Sequence, residues 1–220
     1  MCGRYHVSNS PAVQGLLNSL GMGESITPRR NIAPGAYGQF VIERDGQRAL
    51  LDGMFSLLVE PKPAGVGYRP SPKFSTFNAR SDRLTESRLW RGRFARQRAI
   101  VPADGFHEWA GKQCYDIIQE GRALALGALY ELWEFDGVLV PAFSIITVPP
   151  HPRFAHIHPK SLPLLLEPKD HEVWLDPAFG QVEAFAGLMR PHLSRALVAT
   201  PIGSPMTLQA SGAPEIIAAD

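Results

Sequence analysis

The sequence predicts a single domain of the α+β class. Its 220 residues, of which 45% are hydrophobic, are enough for one well-buried core and only marginally enough for two. Glycine and proline number 20 each, a frequency that suits short strands and many turns. Strand-like runs at hairpin spacing dominate, with helices between only some of them, which favours α+β over a parallel βαβ sheet. Since no repeat or composition break marks a linker, we expect one domain over 1–220.

The first half of the chain is predicted to contain two helices and a hairpin. Ser10 can cap a helix that begins at Pro11, and a glycine at position 21 can end it. The run QFVIERDGQRALLDGMFSLLV should form a hairpin, because its two strand-like halves flank the turn pair Asp45-Gly46. Residues 83–97 fit a second helix with interleaved apolar positions.

The second half is predicted to be mostly strand, with helices near its end. AIVPADGFHEW should form a strand, a turn and a second strand, and QCYDIIQEGRALAL a hairpin around Glu120-Gly121. VLVPAFSIITV is rich in β-branched and aromatic residues and should be a central strand. Segments 168–175 and 181–189 are expected to be helical.

Charge and cysteine content narrow the class of protein. A net charge of +1 gives no global attraction to nucleic acid or membrane, so a polyanion site would have to be a local patch. Two cysteines do not form a disulfide framework and favour a reducing compartment; Cys114, within QCYDII, should be a buried strand residue. Without a long apolar run or a signal segment, we expect a cytoplasmic protein that contacts no membrane.

Cys2 is the first candidate for chemistry. If Met1 is removed, the chain begins with an α-amine of pKa about 7.7–8.0 beside a thiol of pKa near 8.5. Such an aminothiol can form an imine with an aldehyde and then close a thiazolidine ring through sulfur. The α-amine could instead serve as the base of a terminal-nucleophile hydrolase. A third interpretation is a chance residue in a loose terminus.

Glu108 and the histidines of the segment HPRFAHIHPK, which are His151, His156 and His158, are candidates for proton transfer. Between His107 and Trp109 on a predicted strand, Glu108 could lie in an apolar pocket with a raised pKa, although a lone glutamate is often a surface residue. His156 and His158, two residues apart, could share a strand face as metal ligands. Because no cysteine pair accompanies them, we favour a proton shuttle or exposed loop histidines over zinc, and predict no metal and no cofactor.

A run of seven arginines lies between Arg80 and Arg98, opposed by only two acidic residues. On a helix it could contact phosphates; alternatively, it is a solvated face whose aromatic residues, Trp90 and Phe94, pack inward. Arg4, close to Cys2, would add positive charge near the terminus.

The order of these motifs resembles the SOS-response-associated peptidase (SRAP) family along essentially the whole chain. MCGRY is followed by NIAPG, FNAR, VPADGFHEW and a later segment IHPK…P. The resemblance implies a twisted antiparallel, barrel-like β core with peripheral helices. It also implies binding of single-stranded DNA and a covalent thiazolidine crosslink between an abasic site and Cys2, by a protein that we expect to be monomeric and associated with the nucleoid when on DNA.

The resemblance also implies roles for individual residues. Asn78 would position the reacting terminus and the sugar, Glu108 would be the acid and base, and His158 would assist ring opening and reversal of the crosslink. Arg4 and Arg80 would contact DNA.

The chain departs from the family pattern at two places. It reads HPKSLP where the family has His-x-Arg-Met-Pro, so Lys160 replaces an arginine and His156 stays an alternative to His158. Phe55 stands where the family commonly has tryptophan, and we expect its ring to be a platform for a DNA base.

Two other functions stay open from the sequence. One is a thiol peptidase that acts on its own N-terminus or on other peptides. The other is a DNA-binding module that forms no adduct and binds in a reversible, salt-sensitive way.

Overall fold

Short β-strands dominate residues 2–63 and 65–220, the part of the chain that the computed structural model describes. The strands β1 to β15 are, in chain order, Arg4–Val7, Arg29–Ile32, Tyr37–Arg44, Gln47–Phe55, Val59–Pro61, Tyr68–Pro70, Asn78–Arg80, Arg98–Ala103, Gly105–Ala110, Gln113–Ile118, Leu124–Phe135, Val138–Val148, Leu162–Pro163, Leu197–Ile202 and Glu215–Ile217. The α-helices α1 to α3 are Pro11–Ser19, Arg91–Arg96 and His171–Leu175. Turns of 3₁₀ helix occur at Ser81–Arg83, Pro152–Phe154, Pro168–Asp170 and Val182–Gly187.

Five strands close into a barrel in the order β11-β8-β3-β4-β12, and β12 pairs back with β11. The pairings are antiparallel except for β4 with β12, where Phe55 lies opposite Phe143. The two short strands β7 and β13 extend this sheet beside the end of β12. The barrel and the few peripheral helices confirm the predicted α+β fold, and β12 is the central strand expected of VLVPAFSIITV.

A second sheet, in the order β15-β14-β10-β9-β1-β2, carries the N-terminal strand in its interior. In β1, Arg4 lies opposite His107 of β9 and Tyr5 lies opposite Phe106. The start of the chain is therefore held between two strands, and β9 brings the GFHEW segment to its side.

Local predictions hold best where a turn or a cap decides the structure. The Ser10 hydroxyl accepts from the amide of Val13 at 3.2 Å and caps α1. Asp45 and Gly46 have φ angles of 53° and 73°, and the hairpin between β3 and β4 turns on them. These two-residue turns need little beyond their own sequence.

Several longer-range predictions are wrong. The predicted hairpin at Glu120-Gly121 is reduced to a turn with a single antiparallel bridge between Gln119 and Arg122, because β10 joins the six-stranded sheet while β11 joins the barrel. The helix predicted over 83–97 is confined to α2, since Trp90 and Phe94 pack into the core from a mostly irregular segment. The helix predicted over 168–175 is confirmed as the 3₁₀ turn Pro168–Asp170 continued by α3, whereas the helix predicted over 181–189 is only the 3₁₀ turn Val182–Gly187. Among the described residues, no helix is both long and apolar enough to cross a membrane.

Candidate active site

Cys2 lies just before β1 and is completely buried, with 0% of its surface exposed. Burial, and secondly the charge of Glu108, raise the pKa of the Cys2 thiol far above its ordinary value. Cys2 directly precedes β1, the strand that pairs with the strand of Glu108, so the two residues lie in the same region of the fold. The antiparallel pairing of β1 with β9 produces this proximity, because Arg4 is already opposite the residue that precedes Glu108.

Glu108 contacts His158: the Oε2 atom of the glutamate lies 3.2 Å from Nδ1 of the histidine. Glu108 is 2% exposed. Burial raises the pKa of Glu108 to about 8 and lowers the pKa of His158 to about 4. Near neutral pH the pair therefore consists of a protonated carboxyl group and an uncharged imidazole, which can hold and pass on a proton. The structure places His158 at this pair.

A turn of 3₁₀ helix positions His158. The amide of His158 donates to the carbonyl of Phe154 at 3.1 Å, and the Phe154 ring packs on Phe106 of β9 with centroids 6.1 Å apart. His156, on the same loop, instead contacts Glu215 at 2.5 Å and has a side chain that is 55% exposed. The two histidines thus have different partners and do not converge on a common metal position.

Asn78 begins β7, which pairs in parallel with the end of β12. Its Nδ2 atom donates to the carbonyl of Ile145 at 3.2 Å, whereas its buried Oδ1 atom accepts no hydrogen bond from the described residues. A buried acceptor of this kind is costly unless a donor arrives. The amide is thus held by one end and offers the other to an amine or a hydroxyl.

A groove of about 490 Å³ runs from the end of β7 to the loop that carries His158. Arg80 and Lys160, which lies two residues after His158, are both among the residues that line it. The Arg80 side chain is 67% exposed and forms an ion pair of two hydrogen bonds, at 2.6 and 3.0 Å, with Asp82. An exposed pair of this kind contributes little to stability, so a phosphate can replace Asp82 as its partner.

Sequence reasoning missed two hydroxyl residues of this groove. Thr147 and Ser161 line it, and the hydroxyl oxygen of each is buried without a hydrogen-bond partner in the described part of the chain. Serine and threonine are common residues without a distinctive spacing here, so the sequence contained nothing that could single them out.

Arg4 is not part of the groove lining. Its Nη1 atom donates to Oδ1 of Asn31 at 2.6 Å, and by register it shares a sheet face with His107, whereas the adjacent Glu108 points to the other face. The structure thus pairs Glu108 with His158 and holds Cys2 just before the strand neighbouring that of Glu108. It places Arg80 in the groove, with Asn78 on the same short strand, and leaves the Arg4 side chain on the other face of the sheet.

The prediction that Phe55 is a platform for a DNA base is wrong. Phe55 is 0% exposed, stacks on Phe143 with centroids 5.2 Å apart, and meets the edges of Tyr5 and Phe77. Because β4 ends inside the closed barrel at this residue, both ring faces are covered. Phe74, 61% exposed in the loop before β7, is an aromatic residue that does reach the surface.

Two arginines in the second half of the run of seven, Arg93 and Arg98, have structural roles. Arg98 is 2% exposed and donates to the carbonyls of Trp174, Asp176 and Phe179. Arg93 pairs with Glu131 at 2.6 Å. The arginines therefore do not form one phosphate-binding helix face, and the alternative with inward-packed aromatic residues describes α2.

A family model and two relatives with similar names match this chain. Residues 1–207 match the family model described as SOS response associated peptidase (SRAP). The abasic site processing protein YoqW of Bacillus subtilis (strain 168) is 26% identical over 199 residues, which cover 86% of this chain and 85% of that protein. The abasic site processing protein HMCES of Xenopus tropicalis is 27% identical over 185 residues, 73% of this chain and 53% of that protein.

Two solved structures share the fold. A protein from Bordetella bronchiseptica superposes with a TM-score of 0.72 at 18% identity, covering 92% of this chain and 100% of that one. A protein from Bacteroides thetaiotaomicron gives 0.71 at 20% identity, covering 91% and 95%.

Proposed function

The chain belongs to the SOS response associated peptidase (SRAP) family, and we propose that it processes abasic sites in single-stranded DNA by crosslinking itself to them through Cys2. The relatives named abasic site processing proteins support the substrate class. The observation that carries the proposal is the contact of His158 with the buried Glu108, whose strand pairs with β1, directly after the buried Cys2. A groove lined by Arg80 and by Lys160, two residues after His158, lies in the same region of the fold.

The substrate fits this arrangement because an abasic sugar opens to an aldehyde. Once Met1 has been removed, the α-amine of Cys2 attacks the C1′ carbon and forms a carbinolamine, which loses one water to give an imine. The Cys2 sulfur then bonds to the same carbon, and its proton passes to the nitrogen. The sum is aldehyde plus aminothiol to thiazolidine plus water, and it needs no oxidant and no cofactor.

Glu108 and His158 supply the proton transfers. The protonated Glu108 donates to the sugar ring oxygen as the ring opens and to the departing hydroxyl of the carbinolamine, and it regains a proton between the steps. His158, uncharged and in contact with Glu108, accepts the proton that the anomeric hydroxyl loses as the ring opens and passes it to Glu108. Because burial keeps the Cys2 thiol protonated at rest, ring closure requires a nearby base, and Glu108 is that base once it has given its proton to the departing hydroxyl.

The remaining polar groups would hold the DNA. Asn78 offers its unpartnered Oδ1 to the α-amine or to a sugar hydroxyl. Arg80 and Lys160 lie where phosphates on either side of the lesion would enter the groove. A single strand is required in this scheme, because only an unpaired lesion can be turned toward a buried cysteine.

The test is a denaturing gel. Mature protein incubated with single-stranded DNA that contains one abasic site should give a covalent band without any reductant, and Cys2→Ser should give none, since serine has no sulfur to close a stable ring. Cys114→Ser, which removes the other thiol, should react like the parent. Absence of the band with the parent protein, or an undiminished band with Cys2→Ser, would contradict the proposal.

A thiol peptidase acting on its own N-terminus is the second candidate, because Glu108 and His158 next to Cys2 could also assist attack on a peptide bond. Cleavage of a peptide by the protein, together with no covalent band on abasic DNA, would favour it.

A further inference from the structure

A second cluster of reactive side chains lies in the six-stranded sheet, apart from the site described above. His6, His107 and Asp116 each bring a ligand atom to within 4.8 Å of the others. The Nε2 atom of His6 is 2.9 Å from Oδ1 of Asp116, and the Nε2 atom of His107 is 3.4 Å from the same oxygen. The proposed crosslinking chemistry uses none of these three residues.

The sheet register puts the three residues on one face. His107 lies opposite Asp116 across β9 and β10, and His6 lies opposite Gly105 across β1 and β9. Neighbouring residues of a strand point to opposite faces, so His107 faces away from Glu108. The cluster is therefore separated from the crosslinking site by the thickness of the sheet, and the inference does not depend on the proposed function.

His107 shows that the cluster is incompletely satisfied. It is 0% exposed, and neither of its ring nitrogens makes a well-aligned hydrogen bond with the described residues. Buried polar groups normally find a partner, because leaving them without one is costly. A bound cation at Nε2 would supply that partner.

Gly105 makes room for the cluster. A Cβ atom at this position would lie 2.7 Å from Nε2 of His6 and 2.8 Å from the carbonyl oxygen of Ile117. Any larger residue would push the His6 ring away from Asp116. The cross-strand glycine therefore shapes the space in which the two imidazoles and the carboxylate meet.

The spacing of the rings fits shared coordination. The ring centroids of His6 and His107 are 5.3 Å apart and the ring planes are stacked within 13° of parallel, so at least one ring must rotate about its Cβ–Cγ bond for both Nε2 atoms to point at one ion. Two imidazoles bound to one zinc ion, each with a Zn–N distance of about 2.0–2.1 Å at a tetrahedral angle, have centroids roughly 5 Å apart. Two imidazole nitrogens and a carboxylate suit a zinc-like transition metal, whereas magnesium and calcium prefer oxygen ligands throughout.

We propose that His6 Nε2, His107 Nε2 and a carboxylate oxygen of Asp116 bind one divalent transition-metal ion of the zinc type, with water as the fourth ligand. The ion reaches the site past His6 and Asp116, whose side chains are 10% and 16% exposed. It links β1 to β9 and β10. The strand that follows Cys2 is thereby fastened to the strand that carries Glu108.

The experiment titrates ZnCl₂ into chelator-treated protein by calorimetry, in a Cys2→Ser background because an N-terminal aminothiol itself chelates metals. One equivalent should bind. Asp116→Asn, which keeps the shape of the side chain, should weaken binding at least about tenfold, since even the loss of an outer-shell partner costs that much. His156→Gln, an exposed histidine elsewhere, is the matched control and should leave binding unchanged.

Cobalt(II) gives a readout that does not depend on a comparison of variants. The Cys2→Ser protein should develop a saturable visible absorption of tetrahedral intensity with one equivalent of cobalt, and ZnCl₂ should abolish it. Circular dichroism verifies that Asp116→Asn is folded. Failure of the Cys2→Ser protein to bind either metal stoichiometrically, or equal binding by folded Asp116→Asn, would overturn the proposal.

Discussion

Glu108 can hold a proton at neutral pH because the fold removes its carboxyl group from water. Its flanking residues in GFHEW predicted a raised pKa, and burial does raise it, to about 8. The local sequence could not show that the proton partner is His158, 50 positions away along the chain; only the family resemblance indicated that residue. The loop that carries this histidine is placed by the packing of Phe154, which no local pattern encodes.

Replacement of Glu108 by glutamine tests its role directly. Glutamine keeps the shape but cannot donate and regain a proton, so we expect the crosslinking rate to fall by about 10²–10⁴-fold, the usual contribution of a general acid or base. Affinity for single-stranded DNA should be unchanged. Quenched-flow sampling on denaturing gels measures the rate, and Glu120→Gln on the surface is the control. A rate within about twofold of the parent would exclude Glu108 as the acid.

Because Phe55 is buried, its replacement should affect the stability of the protein and not its binding of DNA. Because its ring is packed against Phe143, Phe55→Leu should lower the free energy of unfolding by about 1–3 kcal/mol. It should leave the affinity for single-stranded DNA unchanged, whereas loss of a base-stacking ring would cost about 1–3 kcal/mol of binding. Phe74→Leu, with an exposed ring, should not alter stability. Urea unfolding measures the stability, and fluorescence anisotropy measures the affinity for DNA. A Phe55→Leu variant that is as stable as the parent but binds DNA weakly would support the interpretation of Phe55 as a base platform.

At the scale of the elements, basic side chains divide into structural and available groups. The sequence showed a dense run of arginines and predicted one helix face. In the structure Arg98 donates hydrogen bonds to backbone carbonyls, and Arg93 forms an ion pair with Glu131. These contacts connect α2 and the residues after it to the neighbouring segments. Residue type and spacing cannot distinguish an arginine that stabilises a loop from one that is available to bind a phosphate. The difference depends on which carbonyl groups, distant in the sequence, lie near the side chain.

The groove and the arginine-rich segment make different predictions for salt dependence. Each phosphate contact on a single strand adds about 0.7 to the slope of log affinity against log salt. The double replacement Arg80→Gln with Lys160→Gln should therefore reduce the slope by about 1.4. Arg88→Gln with Arg91→Gln removes the same charge from an exposed segment outside the groove and should leave it unchanged. An equal reduction of the slope by both double variants would exclude the groove as the specific binding site for the DNA.

At the scale of the whole molecule, the sheet determines whether the residue at the start of the chain is ordered or frayed. β1 is an interior strand between β2 and β9, so the residue just before it is fixed and buried instead of frayed. Local signals predicted the fold class, the first helix and the Asp45-Gly46 hairpin. They could not predict that β10 and β11 separate into different sheets, because that choice depends on barrel closure by strands distant in the chain.

The family motifs, in contrast, identified most of the residues that the fold brings to the site, although they are spread over more than 150 positions. The order of the motifs identifies these residues because each motif occupies one fixed position in the fold of the family. It failed for Phe55, where an aromatic residue continues a strand into the core, and it said nothing of Thr147 and Ser161.

Intact mass spectrometry of the product, with and without borohydride, tests the central claim most directly. An imine and a thiazolidine have the same mass, but borohydride adds two hydrogens only to the imine. We predict an adduct whose mass equals the chain without Met1 plus the abasic DNA minus one water, unchanged by borohydride and mapped to Cys2 in the N-terminal peptide. An adduct that retains Met1, that gains two hydrogens, or that maps to another residue would contradict crosslinking through the terminal aminothiol.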